Sequence, residues 1–181
     1  SGPHISSGPS LTERDVPMNK TLIAGFLLAG TATLAQAEPL NIEGIGLSRD
    51  VSCKGQDVNI SGNANVIHLK GDCGAVLVYG SEHKVTLDTA RSLTVSGAEH
   101  EVVAERVNAL SVDTTENQVR TTVAGGEQPA LVEVTGADQE LDLQFEGPVK
   151  LDVSGTNQQV RWRGEEPEVQ MSGIDNKVER Q

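Results

Sequence analysis

Val76-Leu-Val-Tyr-Gly80 and Leu93-Thr-Val-Ser-Gly97 are two copies of the pattern that decides the fold. In each copy, two aliphatic residues at alternate positions precede a corner residue, which is followed by a polar stretch and another aliphatic residue. The pattern occurs seven times, with corners at Gly62, Gly80, Gly97, Thr114, Gly136, Gly155 and Gly173. A unit repeated at so short a period indicates a solenoid, in which every coil stacks on the coil before it.

Aliphatic residues at alternate positions predict short β-strands with one buried face. No coil can bury its own aliphatic row, so each strand must pair in parallel with its equivalent in the next coil. We therefore predict an all-β fold, a parallel β-solenoid of about seven coils of roughly 18 residues with two strands per coil. Right-handed winding is expected, because parallel crossovers are overwhelmingly right-handed. We interpret 40–44 as a degenerate N-terminal coil and 124–129 as a protruding loop.

The N-terminal part of the sequence predicts export. Residues 18–37 begin with a cationic Met-Asn-Lys, continue as an apolar run and end in Ala-Gln-Ala, which is the pattern of a secretory signal peptide. The apolar run is too short to span a bilayer. We expect a periplasmic or secreted protein that is not membrane-spanning once processed. Residues 1–17 are interpreted as an added leader or upstream extension, which leaves 38–181 as the β-solenoid domain.

The two cysteines of the chain, Cys53 and Cys73, are separated by about one coil. An even cysteine count in an exported chain suggests a disulfide. We predict a bridge that staples the N-terminal end of the solenoid, with two free buried thiols as the alternative.

A polar residue stands three positions after each corner, and we call this set the polar ladder. Asn and His are enriched in left-handed conformations, and stacked side chains can hydrogen-bond from coil to coil or to the backbone of the bend. The two histidines of the set are therefore interpreted as rungs rather than as metal ligands or catalytic groups. The polar ladder consists of Asn65, His83, His100, Asn117, Gln139, Gln158 and Asn176.

Four stretches of the sequence resemble the domain of unknown function 3060 family. They are Ile60-Ser-Gly-Asn-Ala-Asn-Val66, Leu69-Lys-Gly-Asp-Cys73, Val95-Ser-Gly97 and Thr115-Glu-Asn-Gln-Val119. The resemblance implies a β-solenoid at the cell envelope and no particular activity, since none is assigned to the family. The sequence departs from the family's preference for Asn at His83, His100, Gln139 and Gln158.

An acidic residue stands two positions after five of the corners, and we call this set the acidic row: Glu82, Glu99, Glu116, Asp138 and Asp175. Carboxylates stacked in this way suit calcium, and Glu82, Glu99 and Glu116 would be its ligands. However, the glycine-aspartate nonapeptide of calcium-binding β-rolls is absent, and acidic residues facing water need no metal. We predict no metal site and no cofactor.

The formal net charge of −12 argues against nucleic acid as a partner, because phosphate is bound through Lys and Arg. The sequence contains none of the hydrolase, metalloprotease or phosphate-binding motifs, so we predict no catalytic residue.

The leading hypothesis is a non-enzymatic exported envelope protein whose solenoid is an interaction surface or a spacer, with an envelope protein or polysaccharide as its partner. The alternative is a carbohydrate-binding or carbohydrate-processing β-helix protein. Ice binding is a weaker third hypothesis, because the row of Ser and Thr before the corners lacks paired Thr-x-Thr.

Overall fold

The structure is a computed structural model that describes residues 37–181, so the predicted leader and all but the last residue of the predicted signal peptide lie outside the described residues. The described part contains fourteen strands and no helix. It therefore holds no helix long and apolar enough to cross a membrane. The strands are β1 Leu40–Ile45, β2 Ser48–Ser52, β3 Val58–Asn63, β4 Val66–Ser81, β5 Lys84–Ala98, β6 Glu101–Val107, β7 Leu110–Thr115, β8 Gln118–Ala124, β9 Ala130–Val134, β10 Glu140–Glu146, β11 Val149–Val153, β12 Gln159–Gly164, β13 Glu168–Met171 and β14 Lys177–Arg180.

All strands pair in parallel and form two columns. The first column contains β1, β3, the C-terminal halves of β4 and β5, and then β7, β9, β11 and β13. The second column contains β2, the N-terminal halves of β4 and β5, and then β6, β8, β10, β12 and β14. The predicted parallel β-solenoid is thereby confirmed.

The solenoid has eight coils rather than about seven. The additional coil is the segment interpreted as degenerate, since β1 pairs with β3 along its whole length, from Leu40 with Val58 to Ile45 with Asn63. The predicted protruding loop lies between β8 and β9.

Equivalent aliphatic residues stack in register along the first column. Val78 pairs with Val95, and Val95 pairs with Val112. All three side chains are fully buried. Because full burial of one such side chain stabilises a fold by about 1.5–3 kcal/mol, a coil that buries several of them contributes enough to offset much of its conformational entropy.

The corners bring the backbones of successive coils into contact. Gly97 has a φ of +119°, and a Cβ atom there would collide with the carbonyl oxygen of Gly80. Glycine is required at such a corner for both reasons. Thr114 is the one corner residue with a side chain among the seven predicted corners, and its φ is +79°.

The left-handed position after the corner is that of the acidic row, which Ala64 and Asn157 occupy in two of the coils, and not that of the polar ladder. Glu82, Glu99 and Glu116 have φ values of +56°, +59° and +55°. Our expectation that left-handed backbone would favour Asn and His in the polar ladder was therefore misplaced by one position. The reversed backbone at the acidic row lets the next side chain turn inward.

Candidate functional site

The polar ladder lies inside the stack, beneath the corners. Six of its seven members are buried, and Asn176 in the last coil is half-buried. Each member accepts a hydrogen bond from the backbone N–H at the equivalent position of the preceding coil. Asn117 Oδ1, for example, accepts from the N–H of His100 at 3.0 Å. The same arrangement occurs at all seven rungs, with donor–acceptor distances of 2.9, 3.2, 3.1, 3.0, 3.0, 3.0 and 2.9 Å in chain order.

Each ladder side chain also donates a hydrogen bond within its own bend. Asn117 Nδ2 donates to the carbonyl oxygen of Asp113 at 2.9 Å and to that of Gly97 in the preceding coil at 3.0 Å. A bond to the carbonyl four residues earlier is present at every rung. Asn, Gln and neutral His can all fill the position, because each offers one acceptor and one N–H donor close together.

The rings of His83 and His100 are stacked in successive coils, with centroids 5.0 Å apart and planes inclined by 3°. His83 Nδ1 faces the N–H of Asn65 at 3.2 Å, and His100 Nδ1 faces the N–H of His83 at 3.1 Å. A backbone N–H can only donate, so both Nδ1 atoms are acceptors and carry no proton. The proton of each ring is therefore on Nε2, which lies 2.9 Å from the carbonyl oxygen of Tyr79 in His83 and 3.0 Å from that of Ser96 in His100.

Burial lowers the pKa of both imidazoles, since it disfavours the charged form. The bonds to the Tyr79 and Ser96 carbonyls oppose this effect only in part. In His100, the neighbouring ring of His83 lowers the pKa further. Both rings are thus neutral members of the structure at pH 7.

A concave surface of about 710 Å³, which we call the acidic groove, lies between the acidic row and the start of the second column. Lys84 is the one Lys or Arg residue that lines it. Among residues 37–181, no group of three or more His, Cys, Asp or Glu side chains is arranged to hold a metal ion. The groove therefore brings Glu82, Glu99 and Glu116 to one surface without forming a recognisable calcium site. Its carboxylates are Glu82, Glu99, Glu101, Glu116, Asp138 and Glu140.

The outer surface of the first column is different, because Asp113, at its edge, is the one charged residue there over three consecutive coils. Tyr79 and Leu77 are 59% and 37% exposed there. Their strand neighbours are Thr94 and Ser96 in the next coil, and Ser111 and Asp113 in the coil after it. We call the part of this surface without Asp113 the uncharged face. It comprises Ala75, Leu77, Tyr79, Ser92, Thr94, Ser96, Ala109 and Ser111.

The predicted disulfide between Cys53 and Cys73 is confirmed. The two Cα atoms are 4.9 Å apart, and the bridge spans 20 residues. Both cysteines are buried at the N-terminal end of the core. This burial favours a structural bridge over a reactive one.

An ion-pair cluster on the second column was not predicted from the sequence. Arg161 Nε donates to Asp142 Oδ1 at 2.7 Å in the preceding coil, and its Nη2 atom also contacts Glu140. The bond from Arg161 is the main cause that lowers the pKa of Asp142. Next to this cluster, Trp162 stacks on Phe145 and is largely buried. The sequence does show charged residues at alternate, outward-facing positions of these strands. It does not show which carboxylate Arg161 contacts, because that depends on the register between β10 and β12.

The fold and its internal ladder define the class of this protein as a parallel β-solenoid. The model of the family described as "Protein of unknown function (DUF3060)" matches residues 60–106. This match confirms the predicted family resemblance over the segment from β3 to β6, which contains both ladder histidines. No curated protein and no solved structure matches the chain.

Proposed function

We propose that this protein is a non-enzymatic exported envelope protein whose solenoid serves as a rigid interaction surface or spacer. The observation that carries the proposal is the division of its outer surface into an uncharged face and an acidic groove. Both surfaces are built on hydrogen-bonded strands of the parallel sheet, so they need little ordering when a partner binds. Eight coils at about 4.8 Å per step separate the first coil from the last by about 34 Å.

The titratable groups with shifted pKa values support a non-catalytic role. Catalytic groups are commonly found where burial and a charged neighbour shift a pKa within a cleft. Here the shifts belong to contacts between coils, namely the stacked ladder histidines, the exposed pair of Asp50 and Lys70, and the pair of Asp142 and Arg161. Within the described residues, every buried side-chain polar atom also has a hydrogen-bond partner.

Binding of a neutral carbohydrate is the second candidate function, and the uncharged face favours it. Tyr79 is an exposed aromatic ring, and Ser96 and Thr94 provide hydroxyl groups in the next coil. An amphipathic ring surrounded by hydroxyls is chemically suited to stack on a sugar and to hydrogen-bond its edge. In the first proposal, by contrast, a protein partner would contact the same face without a sugar stacking on Tyr79.

The test is a pull-down from envelope extract with the processed chain immobilised, with and without calcium. The proposal expects a specific partner whose recovery is abolished by Tyr79→Glu, which puts a charge on the uncharged face, and retained by Glu82→Gln in the acidic groove. Recovery of a polysaccharide that is lost in Tyr79→Ala would support the carbohydrate candidate instead. Turnover of any recovered polysaccharide by the unaltered chain would overturn the non-enzymatic assignment.

A further inference from the structure

His83 and His100 occupy adjacent rungs of the polar ladder in the third and fourth of eight coils. Asn65 precedes this pair and Asn117 follows it. The histidines are therefore the only titratable members of an otherwise amide ladder. They also lie in the middle of the stack, where each coil depends on both of its neighbours.

Both rings must be neutral for the ladder to close. Each ring uses Nδ1 as the acceptor for a backbone N–H and Nε2–H as the donor to a backbone carbonyl. Protonation of Nδ1 would put an N–H group against the N–H of Asn65 or His83, so a hydrogen bond would be replaced by a repulsion between two donors. The amide of the preceding coil would then be buried without an acceptor.

Protonation of both rings would be still less favourable. The stacked rings lie 5.0 Å apart and share the same buried column, so two imidazolium charges would repel each other. Each ring also lies close to a corner glycine, where no side chain stands between the ring and the corner. The Nε2 atoms of His83 and His100 are 3.1 and 2.9 Å from the positions that a Cβ of Gly80 and of Gly97 would take.

The charged groups around the pair are outside the ladder. Glu82, Lys84, Glu99, Glu101 and Glu116 line the acidic groove together with His100. Asp113, on the other side of the bend, accepts from the hydroxyl of Ser96. The ring nitrogens bond to backbone groups rather than to any of these carboxylates, so no ion pair holds a proton on the rings in the closed ladder.

We propose that His83 and His100 form an acid-sensitive joint in the solenoid, closed while both rings are neutral and opened by their protonation. Opening separates the rungs between the second and fourth coils and leaves the amide rungs on either side unchanged. In an acidic environment, opening of the joint lowers the rigidity of the stack and of the surfaces that are built on it.

The sign of the pH dependence follows from linkage. The unfolded imidazoles titrate near pH 6.5, and the folded ones bind their protons only at lower pH. Stability is therefore fully present above pH 6.5 and is lost as the pH falls from there towards the folded pKa values. The upper limit of the effect, for two rings that take up no proton in the closed state, is a rise of about a hundredfold in the equilibrium constant for unfolding between pH 8 and pH 5.5.

The experiment compares urea unfolding of the unaltered chain and of the His83→Asn/His100→Asn double variant between pH 8 and pH 5.5. Asparagine keeps both ladder bonds, as it does at Asn65 and Asn117, so the double variant should lose nearly all of the rise in the unfolding constant that the unaltered chain shows, which is at most about a hundredfold. His68→Asn is the matched control, because His68 is 52% exposed in its side chain and lies outside the ladder. The control should keep the full change. Equal acid sensitivity in the double variant and the unaltered chain would overturn the proposal.

A second measurement uses the unaltered chain, so it does not depend on whether the variant folds. Amide hydrogen exchange, corrected for its intrinsic pH dependence, is compared at four rungs. The amides of Asn65 and His83 donate to imidazole, whereas those of His100 and Asn117 donate to side-chain amide oxygens. The proposal expects protection to fall more at the first two on going to pH 5.5. An equal fall at all four, or no fall at any of them, would contradict a local joint.

Discussion

Asn117→Ala is the substitution that most directly tests whether the polar ladder holds the coils together. The side chain of Asn117 is fully buried and makes three bonds, one from the N–H of His100 and two to the carbonyls of Asp113 and Gly97. Alanine leaves one donor and two acceptors unpaired at about 1–3 kcal/mol each, and the carbonyls retain part of their bonding in the strands. We expect the free energy of unfolding to fall by about 3–5 kcal/mol, a large share of the usual stability of a domain.

The assay is urea unfolding followed by circular dichroism and by the fluorescence of Trp162, the one tryptophan of the chain. Asn117→His is the rescue variant, because the same ring makes the equivalent bonds in the two preceding coils, and at pH 8 it should cost less than about 1 kcal/mol. Asn41→Ala is the exposed control, since its φ is not positive and its side chain bonds on the surface to Asn59 and to the carbonyl of Pro39. If alanine at 117 costs no more than alanine at 41, or if histidine costs as much as alanine, the ladder does not stabilise the stack as we argue.

Three further perturbations test other parts of the structure. Gly97→Ala should lower the unfolding midpoint strongly, because its φ is +119° and its Cβ would collide with a backbone oxygen. Gly126→Ala, which has open space and no positive φ, should leave the midpoint unchanged or raise it slightly, and equal effects of the two substitutions in thermal unfolding would contradict the corner geometry. Replacing both Cys53 and Cys73 by serine should cost about 3 kcal/mol in denaturant unfolding, as the chain-entropy model gives for a loop of about 20 residues, and no loss would show that the bridge is dispensable. Millimolar calcium should not raise the melting temperature, because the acidic groove contains no arrangement for a metal among the described residues, and a calcium-dependent rise that Glu99→Gln abolishes would refute this.

The coil architecture could be predicted from the sequence because the repeat acts directly on the backbone. Aliphatic residues two apart determine which side of a strand is buried, and a corner glycine every 17 to 19 residues in most steps determines the register. The first coil was underestimated for an identifiable reason. Its ladder position holds Leu47, which has no polar side chain, although its backbone N–H still donates to Asn65. The repeat is thus weaker at a terminal coil even where the backbone pairing is complete.

The chemistry of the bend could not be predicted in the same way. Residue type suggested that the ladder residues would have left-handed backbone, but Glu99 has this conformation in the fourth coil and His100 follows it with an inward side chain. A glutamate has no particular preference for positive φ, so the geometry of the whole bend, and not the residue type, determines the left-handed conformation at this position. The separation of the surface into an acidic groove and an uncharged face also required the register, because it depends on which outward rows become neighbours in space.

The polar ladder connects sequence variation to a physical property of the whole stack. At neutral pH, Asn, Gln and His make the same two kinds of bond, so exchanging one for another leaves the coils in the same place. They differ below pH 6.5, where only histidine can take up a proton. The positions of His83 and His100 therefore determine where the solenoid responds to acid, while the disulfide holds the coils at its N-terminal end. A solenoid of this kind can change its acid sensitivity by single substitutions within the ladder, without any change in its core or its surface.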